Sequence, residues 1–261
     1  MSLATFRHLH DGPDLLILAN CWDAGTARMI ADQGACALAT SSAAVAWSHG
    51  YADGDRLPVQ LLLSTTRAIA RVIDVPLSVD CEAGYSDDPA KVADTIAAVV
   101  DAGAVGINLE DGRAAPELLA RKIERIKART DVFVNARIDV YLKALTPPAE
   151  RVTETIARAA RYRAAGADGI FVPGLIDPVE IAAVARAIEL PLNLLARPGL
   201  PPGATLRELG VRRLSAGSDL AQTQWARLGG LVRDFLTDGR SEPLCAVTTP
   251  WAEINARFSR G

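Results

Sequence analysis

The sequence predicts an α/β fold, a closed (β/α)8 barrel of the TIM type with a C-terminal helical extension. Three observations predict it. Short apolar runs alternate with helical segments through eight units, as in a parallel sheet buried on both faces and joined by right-handed crossovers. The joins repeat: Gln33-Gly34-Ala35, Ala102-Gly103-Ala104, Ala165-Gly166-Ala167 and Leu209-Gly210-Val211 each close a helix and lead into a strand. The eight units occupy about 240 residues, the usual size of such a barrel. The competing open, doubly wound sheet would usually carry a glycine-rich phosphate loop after its first strand. Asn20-Cys21-Trp22-Asp23-Ala24-Gly25 is not one.

The elements follow in order. Leu15–Asn20 is the first strand, and Asp23 caps a helix that runs through Gln33 and stops at Gly34. Ala37–Ser41 is the second strand. A polar loop covers Ser42–Leu57, and Pro58 opens a helix to Val72. The third strand enters at Val75-Pro76 and ends in Asp80-Cys81-Glu82, before Gly84 lets the backbone turn. A helix runs from Pro89 to Asp101, followed by the fourth strand, Gly106–Leu109, and at once by Glu110-Asp111. Helix Pro116–Arg129 leads to strand Val132–Ala136, then Arg137 and Asp139. Helix Ala149–Ala164 and strand Gly169–Val172 come next, closed by Pro173-Gly174. Helix Pro178–Ala187, strand Pro191–Leu194, short helix Thr205–Leu209 and strand Arg213–Ala216 complete the barrel. A long helix covers Asp219–Thr237. Residues 1–261 read as one domain, with 239–261 as a tail holding a short helix near Trp251–Arg257.

Composition narrows the function classes. The chain is 49% hydrophobic but only 5% aromatic, so its core is built from Ala, Val, Leu and Ile. A net charge of −3 gives no basic footprint for nucleic acid. No apolar run is long enough to span a bilayer, and the N-terminus lacks the apolar stretch of a signal peptide. Cys21, Cys36, Cys81 and Cys245 form no CxxC pair and no zinc spacing. They suit a reducing cytoplasm better than a disulfide framework.

In such barrels the active site lies at the C-terminal ends of the strands. The polar residues there are Asn20, Trp22 and Asp23; Thr40, Ser41 and Ser42; Asp80 and Glu82; Glu110 and Asp111; Asn135, Arg137 and Asp139; Asn193; and Ser215 and Ser218. Side chains alternate along a strand, so Asp80 and Glu82 are expected on one side and Cys81 on the other. For any one residue, a capped loop or a rim salt bridge is the better account. As a set, the acids cluster on adjacent strands, which points to function. They suit Mg²⁺ held by Asp80, Glu82 and Glu110, with an acidic substrate bridging the metal and Arg137, whose fork matches a carboxylate.

At these residues the sequence resembles the isocitrate lyase / phosphoenolpyruvate mutase superfamily. That family's Asp-x-Asp-x-Gly-Tyr/Phe-Gly motif matches Asp80-Cys81-Glu82-Ala83-Gly84-Tyr85-Ser86, with Glu for the second Asp. Its Ile-Glu-Asp matches Leu109-Glu110-Asp111, and its Ala-Arg-Thr-Asp matches Ala136-Arg137-Ile138-Asp139. Its serine loop matches Thr40-Ser41-Ser42-Ala43, the following acid matches Asp53, and the Asn of the seventh strand matches Asn193. Asn20 to Arg28 resembles its first strand-to-helix turn, which contains Trp22.

The resemblance implies Mg²⁺, or Mn²⁺, held largely through waters by Asp80, Glu82 and Glu110. It implies 2-oxo or 2-hydroxy acid substrates contacted by Trp22, Ser41, Ser42, Ala43, Asp80, Arg137 and Asn193. The chemistry it implies is enolate formation, with Arg137 and Asp53 as catalytic residues. It also implies a homodimer or a dimer of dimers, with the eighth helix exchanged between barrels.

Two departures stand out. The lyases' mobile loop with its Lys-Lys/Arg-Cys-Gly-His motif is missing, because only Gly112, Arg113, Ala114 and Ala115 separate Asp111 from Pro116. Four residues cannot form a swinging lid. The Glu often found after strand six is missing as well. The expected function is therefore a lidless, Mg²⁺-dependent carbon–carbon lyase or decarboxylase, with Arg113 reaching a second carboxylate or pairing with Glu110 or Asp111. The alternatives are a phosphoenolpyruvate or phosphonopyruvate mutase or hydrolase, and a non-catalytic 2-oxo acid-binding barrel.

Overall fold

A computed structural model describes residues 2–259. Its strands are β1 (Leu16–Leu18), β2 (Asn20–Cys21), β3 (Leu38–Thr40), β4 (Leu77–Asp80), β5 (Gly106–Glu110), β6 (Phe133–Arg137), β7 (Gly169–Phe171), β8 (Leu192–Leu195) and β9 (Val211–Ser215). They run in the order β1-β9-β8-β7-β6-β5-β4-β3-β2, and every neighbouring pair is parallel. The extended segment expected as one first strand is interrupted at Ala19. Its first half pairs with β9 (Leu16↔Arg213) and its second with β3 (Asn20↔Ala39). One segment thus joins both edges, and nine short strands fill eight positions of a closed ring.

The helices are α1 (Leu3–Asp11), α2 (Ala24–Asp32), α3 (Ser42–Ser48), α4 (Val59–Val72), α5 (Pro89–Asp101), α6 (Pro116–Arg129), α7 (Arg151–Ala164), α8 (Pro178–Ala187), α9 (Gly203–Glu208), α10 (Asp219–Asp238), α11 (Glu242–Cys245) and α12 (Trp251–Arg257). Pro89, Pro116 and Pro178 each open a helix where no amide donor is needed. Besides the four-residue α11 in the tail, two helices were not expected. α3 lies in the stretch read as a polar loop; Ser41 caps it by accepting from the Ala44 amide at 3.4 Å, and alanines favour the turn that follows. The other is α1, which closes the floor of the barrel.

That floor is aromatic in a chain poor in aromatics. Phe6 meets Phe133 edge to face at 5.2 Å, and His10 stacks on Phe133 at 4.3 Å. Phe6 can enter because β5 presents Gly106, where a Cβ would stand 2.6 Å from the ring. His10 Nδ1–H donates to the Phe6 carbonyl at 2.8 Å. Burial pushes His10 down to about 4, helped by the charge on Arg213. Between strands and helices lies the larger core of Ala, Val, Leu and Ile. α10 contributes only Ala221 to it as a fully buried residue.

Candidate functional site

The rim opposite the floor opens into a cavity of about 160 Å³. Asp80 ends β4 and faces it. Its backbone N–H donates to Thr40 Oγ1 at 2.9 Å, and its Oδ2 accepts from Ser42 Oγ at 2.9 Å. Burial pushes the Asp80 carboxyl up, while nearby Arg137 pulls it back.

Glu82 arrives differently from expectation. The strand stops at Asp80, and Glu82 has φ 51°, so a left-handed turn rather than strand alternation sets its direction. Its Oε2 accepts from the Asp55 amide, and Tyr85 O–H donates to Oε1 at 3.4 Å. The Tyr85 amide in turn donates to Asp55 Oδ1 at 3.2 Å. Asp55 and Tyr85 are left-handed too, at φ 55° and 61°. Three strained non-glycine residues in one contact set is the pattern of a site whose surroundings over-determine it. Burial, together with the charges of Asp53, Asp55 and Asp80, pushes Glu82 up to about 7.

Glu110 and Arg137 stand opposite each other where β5 meets β6. Arg137 Nη1 reaches Glu110 Oε2 at 2.6 Å, and its Nε donates to Asp139 Oδ1 at 2.7 Å. Its Nη2 donates to Asp139 Oδ2 at 3.3 Å. Lys143 Nζ adds contacts to Glu110 at 3.2 Å and Asp139 at 2.7 Å. Burial pushes Glu110 up against the pull of Arg137. Although burial opposes its charge, Glu110 and Asp139 hold Arg137 above its ordinary range.

A second layer fixes this knot. The Asp139 amide donates to Asp111 Oδ1 at 3.0 Å. Asp111 Oδ2 accepts from Tyr162 O–H at 2.7 Å and Arg158 Nη1 at 2.9 Å, both on α7.

Of the residues expected here, Asn20, Ser41, Ser42, Ala43, Asp53, Asp80, Arg137, Ser215 and Ser218 line the cavity. Glu82 and Glu110 stand beside it without lining it. Three of the expected residues stand outside the cavity lining. Trp22 is buried in the main core, where its amide donates to Thr26 Oγ1 at 3.2 Å. Asn193 is buried rather than lining the cavity; its Oδ1 accepts from Ser215 Oγ at 3.2 Å and its Nδ2 has no partner. Arg113 is exposed and lines no part of the cavity.

The cavity also holds residues that were not assigned to it. Asn108 sits two residues before Glu110 on β5, so strand alternation could have found it. Its Oδ1 accepts from Asn135 Nδ2 at 2.9 Å and Arg213 Nη2 at 3.4 Å. Leu142, Phe171, Pro173 and Leu195 form an apolar wall, and Arg197 stands at the rim. Lys143 carries one local signal, its spacing of four from Asp139.

The family described as phosphoenolpyruvate phosphomutase matches residues 6–236. An uncharacterized protein of Mycobacterium tuberculosis is 40% identical over 259 residues, covering 97% of this chain and 96% of that protein. Oxaloacetate decarboxylase of Pseudomonas savastanoi pv. phaseolicola is 27% identical over 223 residues, covering 80% of this chain and 75% of the enzyme. The solved structure of phosphonopyruvate hydrolase in complex with oxalate and Mg²⁺ superposes with a TM-score of 0.87 at 22% identity. It covers 98% of this chain and 94% of that one, a likeness of fold.

Proposed function

The chain belongs to the phosphoenolpyruvate phosphomutase family, within the isocitrate lyase / phosphoenolpyruvate mutase superfamily. On that premise we propose that it is a Mg²⁺-dependent carbon–carbon lyase acting on a small 2-oxo or 2-hydroxy acid through an enolate. Decarboxylation of a β-keto acid such as oxaloacetate fits best. The observation that carries this reading is the set Asp80, Glu82 and Glu110. Asp80 lines the cavity and the other two carboxyls stand beside it; all three are pushed up by burial, and Arg137 lines the same cavity, tied to Glu110.

The donor set fits a hard cation. It is all oxygen, and its buried charge exceeds what the neighbouring cations offset. Among the described residues no three His, Cys, Asp or Glu stand close enough to hold an ion directly. Asp80, Glu82 and Glu110 would therefore hold Mg²⁺, or Mn²⁺, largely through waters, a coordination Mg²⁺ commonly adopts. When bound, the ion supplies Lewis-acid stabilisation of charge developing on the 2-oxo oxygen.

The protein's own groups do the rest. A guanidinium has five N–H donors. Three of those on Arg137 go to Glu110 and Asp139, which leaves two for a substrate carboxylate. In decarboxylation the bond between the β-carbon and its carboxylate breaks and CO₂ leaves. The electron pair becomes the enolate, and the β-carbon then takes a proton. Asp53 is our candidate for moving that proton, because it lines the cavity and makes no side-chain hydrogen bond or ion pair among the described residues. No cysteine lines the cavity, in keeping with a reaction that needs no gated thiol acid.

Phosphonopyruvate hydrolysis or rearrangement is the second reading, favoured by the family match. The same proposal includes a homodimer or homotetramer formed through α10, which exposes Trp225, Leu228, Leu231, Val232, Phe235 and Leu236. Light scattering should then report no monomer. A cytoplasmic setting completes the proposal; all four cysteines are free. The test is product formation with Mg²⁺ and with EDTA: pyruvate from oxaloacetate, phosphonopyruvate or methylisocitrate, and phosphoenolpyruvate from phosphonopyruvate. Metal-dependent turnover of oxaloacetate is the expected result. Turnover of phosphonopyruvate alone selects the second reading. Silence on all three, with Mg²⁺-dependent oxo-acid binding, makes the protein a binder.

A further inference from the structure

Two cationic side chains line the cavity, Arg137 and Arg197. Their situations differ. Arg137 is tied to Glu110 and Asp139. The Arg197 side chain makes no hydrogen bond or ion pair with any described residue, and the residue is exposed at the rim.

The backbone beneath Arg197 is nevertheless fixed. The Ala196 amide donates to the Ser215 carbonyl at 2.9 Å, which carries the β8–β9 pairing one step beyond β8. Arg197-Pro198-Gly199-Leu200 is a tight turn closed by the Leu200 amide on the Arg197 carbonyl at 3.1 Å. Pro198 sets the second position of that turn, and Gly199, at φ 87°, supplies the left-handed third. An unpaired guanidinium therefore stands on a hydrogen-bonded turn.

Its place in the ring matters. With β1 and β2 sharing one position, the order β4-β5-β6-β7-β8 sets β8 four places from β4, directly across an eight-position barrel. The carboxyl cluster lies on the β4 side and Arg197 on the β8 side, with Leu142, Phe171, Pro173 and Leu195 in the wall.

We propose that Arg197 is a substrate-binding residue that takes a second anionic group, so that the substrate is a small dianion. It carries a 2-oxo or 2-hydroxy acid head at the Asp80–Arg137 pole and a carboxylate or phosphonate at the Arg197 pole. This rests on the function proposed above. Arg197 thereby has the role that sequence alone suggested for Arg113. Guanidinium suits both groups, because its fork pairs with either in bidentate fashion.

The test is calorimetry with Mg²⁺ on three probes that are not β-keto acids and so cannot undergo the proposed decarboxylation. Oxalate carries the head alone, malate adds a carboxylate, and phosphonolactate adds a phosphonate. Arg197→Gln should weaken malate, phosphonolactate or both by about tenfold or more, as expected for a lost charge-assisted hydrogen bond. Oxalate should change by less than about twofold, and Arg197→Lys should recover part of the loss. The probe that suffers more identifies the second group. Unchanged affinity for both long probes overturns the proposal, as does an equal loss for oxalate. If the unaltered protein binds no oxalate with Mg²⁺, the lyase reading itself falls and this inference falls with it.

Discussion

At the rim of the barrel, burial pushes acids up: Asp80, Glu82, Glu110 and Asp111 all lie above their ordinary values. Towards the floor, burial pushes bases down, His10 to about 4 and Arg213, which lies between the Phe6 ring and Asn108, to about 9. The cause is the same at both ends, namely loss of water around a charged form. The outcome differs because the surroundings do. Phe6 and Phe133 seal the floor, so His10 settles as the neutral ring. The rim opens to a cavity, so its excess negative charge can be met by a cation from solvent. Desolvated charge of one sign beside an opening is what a binding site requires, and the same charge under an aromatic plug is only a structural burden.

Phe6→Ala should have the largest effect, about 3–5 kcal/mol of unfolding free energy, from the lost ring and the cavity it leaves. Urea denaturation measures it, and oxalate affinity of the folded fraction should stay put. A parallel loss of oxalate affinity would mean the two ends are coupled.

The pH dependences should oppose each other. His10 has a folded value of about 4 against an ordinary 6.5, so the unfolded state binds more protons between those values. Its contribution is present above pH 6.5 and lost as pH falls towards 4, by up to about 3 kcal/mol. Glu82 has a folded value of about 7 against an ordinary 4.5, so the folded state holds its proton more tightly. That contribution is present below pH 4.5 and lost as pH rises through 7. His10→Gln should flatten the acid slope of the urea midpoint, and Glu82→Gln the neutral one. Identical slopes in variant and parent would remove these residues from the account.

Arg137→Lys should weaken Mg²⁺-dependent oxalate binding by about 2 kcal/mol, since an ammonium cannot reproduce three fixed contacts and still bind a carboxylate. Normal binding would make Arg137 structural. Asp111→Asn should have the smallest effect, about 1–2 kcal/mol of stability, by weakening the acceptor shared by Arg158, Tyr162 and the Asp139 amide. Calorimetry should show a smaller change in oxalate affinity than for Arg137→Lys.

Much of the barrel and of its acidic cluster is legible in the amino-acid sequence. The Gly-Ala joins and prolines mark the helix ends. The acids after strands three and four, with Arg137 after strand five, mark the cluster. What escapes has specific reasons. α1 carries two histidines and few apolar residues, so its periodicity is faint, and its value lies in one partner, Gly106, a hundred residues away. Glu82 is assigned to the right neighbourhood by the wrong route, because a left-handed φ cannot be read from a Glu. Arg113 and Arg197 look alike as isolated loop arginines, and only the cavity separates them.

The alternation of strands and helices is written in the chain, and with it the ring and the end of it where the acids gather. Period and punctuation are local properties of the chain, and local properties survive in one dimension. Folding settles which cations are already engaged, which acids lose water, and which side chains share one cavity. Those are matters of distance and desolvation between residues far apart in sequence. They come into being only when the first strand closes the barrel against both its neighbours.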